Sequence, residues 1–367
     1  MKKINLTLAL AFFGFVGFAQ DAVEETASKT TITGNADVYY RFNFANAGDI
    51  NEINNKTSFT NSHDSFELGM ASLKAVHKMG KASVVADLGF GKRAYDFSGG
   101  GDDSKYGSFV VKQLNITYDF TSKFKVTAGA FATHLGFELV DAVDNKNYSM
   151  SYAFTNGPFF NTGVKAQFTE GKFSIMAGIT NPTDLKTAIY TTTPVTGTPV
   201  EVGSRQKTFI GQLGYTADKG SAFLNFTSGS ENPGTSNKQQ IDIVATNKFS
   251  DKFTVGFNGT YATISQDLAG DDANWFAAIA YLQYALKKNT SLAYRLEYFG
   301  DNDAARYGLK NLNVISNTLS LNLKHGNFTF IPEVRYEVAS ENFYVKNAKA
   351  DPSKSSASIL LATTYNF

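Results

Sequence analysis

The sequence predicts an all-β fold, a transmembrane antiparallel up-and-down β-barrel of about 16 strands. Three observations predict it. Segments of about 9–13 residues alternate apolar and polar side chains with a period of two, the length and pattern of a tilted membrane strand. The connections between these segments alternate short and long. After the N-terminus, no stretch approaches the roughly 18 consecutive apolar residues of a membrane helix.

The clearest strands lie in the C-terminal third. Phe253, Val255, Phe257 and Tyr261 fall on one side of their segment, with Thr254, Asn258 and Thr260 on the other. Leu292, Tyr294, Leu296 and Tyr298 alternate with Arg295 and Glu297. Phe328, Phe330, Val334 and Tyr336 oppose Thr329, Glu333, Arg335 and Glu337. In the last segment Ile359, Leu361, Tyr365 and Phe367 oppose Ser358, Thr364 and Asn366. Successive side chains of a strand point to opposite faces, so each segment is a ribbon with one apolar face.

Short connections centre on Gly80, Ser122, Gly171, Lys219, Ser250-Asp251, Lys288 and Gly326, residue types that suit tight hairpins. Long connections run near 45–63, 97–107, 132–160, 182–204, 231–237, 266–272, 302–310 and 341–354 and are rich in Gly, Asn, Asp and Thr. Seven tight turns and eight long loops join the strands and leave both termini on the short-turn side. Sorting short and long connections to opposite rims is the arrangement of a membrane barrel. In hydrocarbon an unpaired backbone N–H or C=O costs several kcal/mol, so only closure leaves no exposed edge.

Composition agrees. Of 367 residues, 18% are charged and 14% aromatic, with 32 Phe and 18 Tyr, which suits a wall facing lipid. Tyr40, Phe42, Tyr118, Phe120, Tyr284 and Tyr298, near strand ends, are expected at the two membrane interfaces. The formal net charge is +1, so no basic excess points to nucleic acid. Cysteine is absent, which excludes disulfides, thiolate zinc sites, thiol catalysis and lipid attachment to an N-terminal cysteine.

Residues 1–19 read as a secretory signal peptide: Lys2 and Lys3, an apolar run from Leu6 to Phe18, then small residues before a cut at Gln20. A short lead, 20–30, precedes the barrel domain, 31–367. Two features resist the barrel pattern. Pro332 removes a ladder hydrogen bond, and a bulge is expected there. The strand near 64–78 changes phase between Met70 and Leu73, which also predicts a bulge.

The stretch 124–181 carries the most distinctive sequence. It contains Gly129, then His134-Leu135-Gly136-Phe137-Glu138, then Asn145-Lys146-Asn147-Tyr148-Ser149, Tyr152-Ala153-Phe154, Gly157-Pro158-Phe159 and Thr162-Gly163. This stretch resembles the putative β-barrel porin-2 family, common in Bacteroidota. Members often carry Arg after the Tyr-Ser pair, where this chain has Met150. The terminal Phe367, after Tyr365 on an alternating strand, resembles the signature read by the barrel assembly machinery. The resemblance implies a porin of the outer membrane of a Gram-negative cell, with outer-membrane lipid and the assembly machinery as partners. Its function is then passive diffusion of small hydrophilic solutes, without cofactor, metal or nucleic acid. A homotrimer follows only by analogy with porins of this size. The alternative is a barrel whose outer loops bind a ligand or surface, for which Trp275, if on a loop, gives slight support.

Polar-face residues are expected to line the lumen: Asp37, Arg41, Glu67, Asp87, Arg93, Asp119, Lys125, Lys165, Asp242, Arg295, Glu297, Glu333, Arg335 and Glu337. A barrel of this width is not closed by its own wall side chains, which predicts an aqueous channel. The longest connection, 132–160, is the expected constriction, through Glu138, Asp141, Asp144, Lys146 and Tyr148. No catalytic residues are predicted. The four histidines, His63, His77, His134 and His325, lack metal spacing, and no nucleophile elbow occurs. Of these His77 alone lies where a wall-borne hydrolase could use it. Asp102-Asp103 and Asp271-Asp272 read as solvated loop charge rather than as calcium ligands.

Overall fold

A computed structural model describes residues 28–48, 52–98, 109–187, 189–192, 199–202, 206–230, 236–266 and 272–367. Sixteen antiparallel strands close into one barrel, each hydrogen-bonded to its sequence neighbours. They are β1 (Ser28–Asn43), β2 (Ser65–Met79), β3 (Ala82–Phe90), β4 (Val110–Asp119), β5 (Phe124–Ala132), β6 (Phe160–Glu170), β7 (Phe173–Thr180) and β8 (Thr208–Ala217). They continue as β9 (Gly220–Ser230), β10 (Ser236–Lys248), β11 (Phe253–Gln266), β12 (Ala273–Lys287), β13 (Thr290–Asp303), β14 (Lys310–His325), β15 (Phe328–Ala339) and β16 (Ser355–Asn366). β1 already runs at Ser28, ahead of the expected start at 31. The signal peptide and most of the lead lie outside the described residues, as do Asp102, Asp103 and Asp271.

The period of two sets which side chains meet lipid. Phe66 and Leu68 are 88% and 75% exposed, and Ile32, Leu114, Ile116, Ile175 and Phe209 are exposed on the same outer face. An apolar surface of this extent suits hydrocarbon, not water. Aromatic pairs mark both rims: Tyr40 with Phe66 and Phe276 with Tyr298 toward the long loops, Tyr118 with Phe120 and Phe328 with Tyr365 toward the short turns. The barrel closes where β16 meets β1, from Asn35↔Asn366 to Asn43↔Ser358. Gly34 and Phe367 exchange backbone hydrogen bonds at the seam. The Phe367 ring lies over Gly34, where a Cβ would come within 2.4 Å of its Cζ.

Both irregularities are present, but only one is a bulge. In β2 the register shifts because Asp37 faces Met70 while Val38 faces Leu68, so Gly69 is the extra residue. The phase changes before Met70 rather than after it, and Met70 is buried instead of sharing the outer face of Phe66 and Leu68. At Pro332 no bulge forms. β14 and β15 keep one register on both sides, Ser320↔Glu333 and Leu323↔Phe330, and only the pairs between them lapse. Pairing of Pro332 with Leu361 on the other side is kept. A missing donor therefore opens the ladder locally without adding a residue. A second bulge, in β4, makes Lys112 the extra residue between Asp87↔Gln113 and Leu88↔Val111.

Trp275 is fully buried on the inner face of β12, not on a loop, so it offers no surface for ligand binding. His77 is exposed on β2, with Thr30 Oγ1 at 2.9 Å. Arg93 is not on a strand. It lies on a short helix, α1 (Lys92–Phe97), in the loop after β3.

Candidate functional site

The connection between β5 and β6, residues 133–159, turns into the lumen. Its neck is fixed where the Thr133 amide donates to the Phe159 carbonyl, 3.1 Å. A segment placed inside a barrel takes its backbone polar groups away from water, and each then needs a partner. The inward faces of β10 and β12–β15 supply them.

Glu297 Oε2 accepts from the Tyr152 amide and Oε1 from the Ala153 amide, both at 3.0 Å. These amides open a helical turn, α2 (Tyr152–Asn156), capped by Ser151 Oγ accepting from the Phe154 amide. Glu333 accepts from the Tyr148 amide at 2.7 Å and the Ser149 amide at 3.1 Å. Arg295 donates to the Ser149 carbonyl and pairs with Glu138 at 2.5 Å, both buried. Arg335 donates to the Met150 carbonyl at 2.7 Å and to Glu337 at 2.8 Å. Asp242 accepts from the Gly136 amide at 3.0 Å, and Phe137 stacks on Tyr281 with centroids 4.1 Å apart. Asn147 donates to Ser320 Oγ at 2.7 Å, and Asn322 to the Lys146 carbonyl at 3.0 Å. Hydrogen bonds to charged groups are worth about 1.5–3 kcal/mol each, so this set defines one position for the loop.

The other side of the loop is held at fewer points. Lys112 reaches Asp141 at 2.7 Å and Asp87 at 3.1 Å. Asn35 donates to Asp141 Oδ1 at 3.1 Å. The Tyr148 hydroxyl donates to Asp37, and Arg93 lies 3.9 Å from Asp37 and 4.8 Å over the Tyr148 ring. Between these contacts a cavity of ≈450 Å³ runs along β1–β5, from Asn366 and Phe367 at the short-turn end past Lys74, Lys112, Asp141 and Asp144 to Thr133 and Phe159. Burial raises the Tyr148 and Tyr152 phenols well above their usual value, so both remain donors. Partial burial, then Asp141, raises the Asp144 carboxyl. Burial lowers the His134 imidazole to about 4.

Of the expected lumen-lining residues, Asp37, Asp87, Asp242, Arg295, Glu297, Glu333, Arg335 and Glu337 point inward but are buried. All lie against the loop or the residues that bind it, Asp87 through Lys112. Arg41 is buried against the first long loop, donating to Ile53, Ser62 and Asn54 carbonyls. Glu67 and Lys165 are half-buried, the latter 4.2 Å over the Phe131 ring. Asp119 lies at the short-turn rim with Lys78, and Lys125 is exposed beside it in register. Met150 is buried with Phe59, Phe97, Phe154 and Phe160. Two acidic groups of the loop are met from outside it, Glu138 by Arg295 and Asp141 by Lys112. Lys112 was not foreseen, because a bulge turns it inward out of the strand's phase.

Among the described residues no cluster of ligating side chains could hold a metal ion. The sequence matches the model of the putative beta-barrel porin-2, OmpL-like family over residues 29–367, and the chain belongs to that family. No curated protein matches it in sequence. Several solved structures share the fold. OmpT, expressed in the outer membrane of Vibrio cholerae, aligns with TM-score 0.58 and 11% identity over 95% of this chain and all of its own. An anion-selective porin from Comamonas acidovorans aligns with TM-score 0.58 and 11% identity, over 93% of this chain and all of its own. The outer-membrane channel DcaP of Acinetobacter baumannii gives TM-score 0.58 and 13% identity, over 93% and 98%.

Proposed function

We propose that this member of the porin-2 family is an outer-membrane channel for passive diffusion of small hydrophilic solutes, with its short turns facing the periplasm. The observation that carries the reading is the ≈450 Å³ cavity between the lumen loop and β1–β5, which stays open although residues 148–153 of the loop are bonded to β13 and β15 on the opposite side. Residues 138–148 narrow the passage: Glu138, Asp141 and Asp144 line the cavity, Lys146 lies nearer the short turns, and Tyr148, fully buried, holds the loop to Asp37 rather than lining the bore. Glu67, Lys125 and Lys165 line the wider parts, and Asp119 the rim. A solute crosses down its gradient past fixed charges of both signs, with no reaction and no energy coupling. The ring of Phe367 beside Gly34 is the end that the assembly machinery would engage. Three such barrels would assemble as in the trimer form of OmpT.

The test is single-channel recording of the refolded protein in a planar bilayer. Stable conductance steps are expected. Replacing residues 138–148 by a short Gly-Ser link is expected to raise the step size about twofold or more, since a wide barrel without its loop keeps an open lumen. A folded, heat-modifiable barrel that gives no steps would sink the channel reading.

A further inference from the structure

The lumen loop also closes over a second space, a vestibule of ≈340 Å³ at the short-turn mouth. Lys146 enters it from the loop tip, Lys287 and Lys288 from the end of β12 and its turn, and Lys324 from β14. The remaining lining consists of amides, hydroxyls and a few apolar side chains, and no carboxylate. Among the described residues, none of the four ammonium groups forms an ion pair. The position of Lys146 is fixed, because Asn322 holds its carbonyl.

The rest of the route lacks this one-signed character. Along the ≈450 Å³ cavity, Asp87 and Asp141 share Lys112, and Glu138 faces Arg295. At the rim, Asp119, Glu170 and Asp251 each already pair with a lysine. The two spaces are neighbours, with Val143 and Asn366 lining both.

We propose that the vestibule is a binding site for small anions, solutes carrying a carboxylate or phosphate group, and that it makes the channel anion-selective. The inference rests on the channel reading above. Charges of one sign in a cleft with low-dielectric walls concentrate counter-ions. Lysines act as mobile point charges rather than as a rigid fork, so they attract an anion without holding it in one geometry. Weak attraction of this kind suits conduction, since a solute that enters must also leave.

The test compares the full-length protein with a Lys146→Gln/Lys287→Gln/Lys324→Gln variant in a KCl gradient. The unchanged channel is expected to pass chloride in preference to potassium. The variant is expected to lose that preference about two- to fivefold, the size of removing partly screened charges from a pore mouth. Inorganic phosphate on the short-turn side is expected to reduce the chloride current of the unchanged channel and to affect the variant less. Heat-modifiable mobility checks that the variant folds; if it does not, Lys324→Gln alone serves, with a smaller shift in the same direction. Conducting channels that prefer potassium, or a folded variant with unchanged selectivity and phosphate response, would overturn the inference and leave the channel reading intact. Absence of steps in the unchanged protein would remove both.

Discussion

Strands β13–β15 and strands β1–β4 flank the same loop and follow the same alternation, yet above the short-turn vestibule one side is sealed and the other open. On β13–β15 the inward charges are spent on the loop: Glu297 and Glu333 take its amides, Arg295 and Arg335 its carbonyls. The β13–β14 register runs unshifted from Thr290 to Asp301. On β1–β4 the register breaks twice, at Gly69 and Lys112, and a cavity remains. Regular strands thus present an even ladder of side chains that a loop can dock along. Bulged strands re-aim single residues, as with Lys112, so the loop is met at isolated points with space left between them.

The largest effect expected on this contrast comes from the sealed side. Arg295→Met leaves the Glu138 carboxylate buried and unpaired, and removes two donors from the loop backbone. Loss of one partner of a buried pair costs about 3–5 kcal/mol. Urea unfolding in detergent is expected to show that loss, and single-channel records to become larger and noisier as the loop detaches. Adding Glu138→Leu, which removes the orphaned charge, is expected to restore part of the stability. If Arg295→Met unfolded like the unchanged protein and kept its step size, the wall would not be what holds the loop.

The sequence made the barrel legible because one physical rule repeats in every strand. The alternation at 253–261 and 328–337, the lysine- and glycine-bearing short turns and the long loops all follow from it, and the strand number with them. The site was legible in part. Glu138, Asp141 and Tyr148 do lie in the lumen, but the charges at 295, 297, 333 and 335 looked like channel lining. Alternation says only that a side chain points inward, not whether water or a loop will meet it there. Lys112 was invisible for a related reason, since its bulge is set by pairing with β3. Pro332 invited a bulge, and the barrel absorbed it as a gap in the ladder instead.

A smaller effect belongs to the open side. A Cβ at Gly69 would lie 1.7 Å from Asp37 Oδ1 and 2.8 Å from the Tyr148 hydroxyl, so Gly69→Ala must break or shift the contact between them. Overpacking of this kind costs about 1–3 kcal/mol. Gly211→Ala is the control, because its nearest neighbour lies 3.8 Å away, and it is expected to be neutral in the same unfolding assay. Equal behaviour of the two variants would mean that the bulge is not there to accommodate the loop.

The smallest expected effect, and the one that separates lining from anchoring, is Lys112→Met. Lys112 is both a contact of the loop, through Asp141, and a charge beside the cavity, through Asp87. Asp141 is only partly buried, so water can replace the lost partner there, and the buried Asp87 keeps the Ser72 hydroxyl and the Gln113 amide as donors, so the stability cost is expected to be about 1–2 kcal/mol. The stronger readout is ion preference, since two carboxylates beside the passage lose their counter-charge and selectivity moves toward cations. Adding Asp141→Asn is expected to reverse part of that movement. A cation shift without a change in step size would mark Lys112 as lining, whereas a larger step without a selectivity shift would mark it as a strap on the loop, like the arginines of the sealed side.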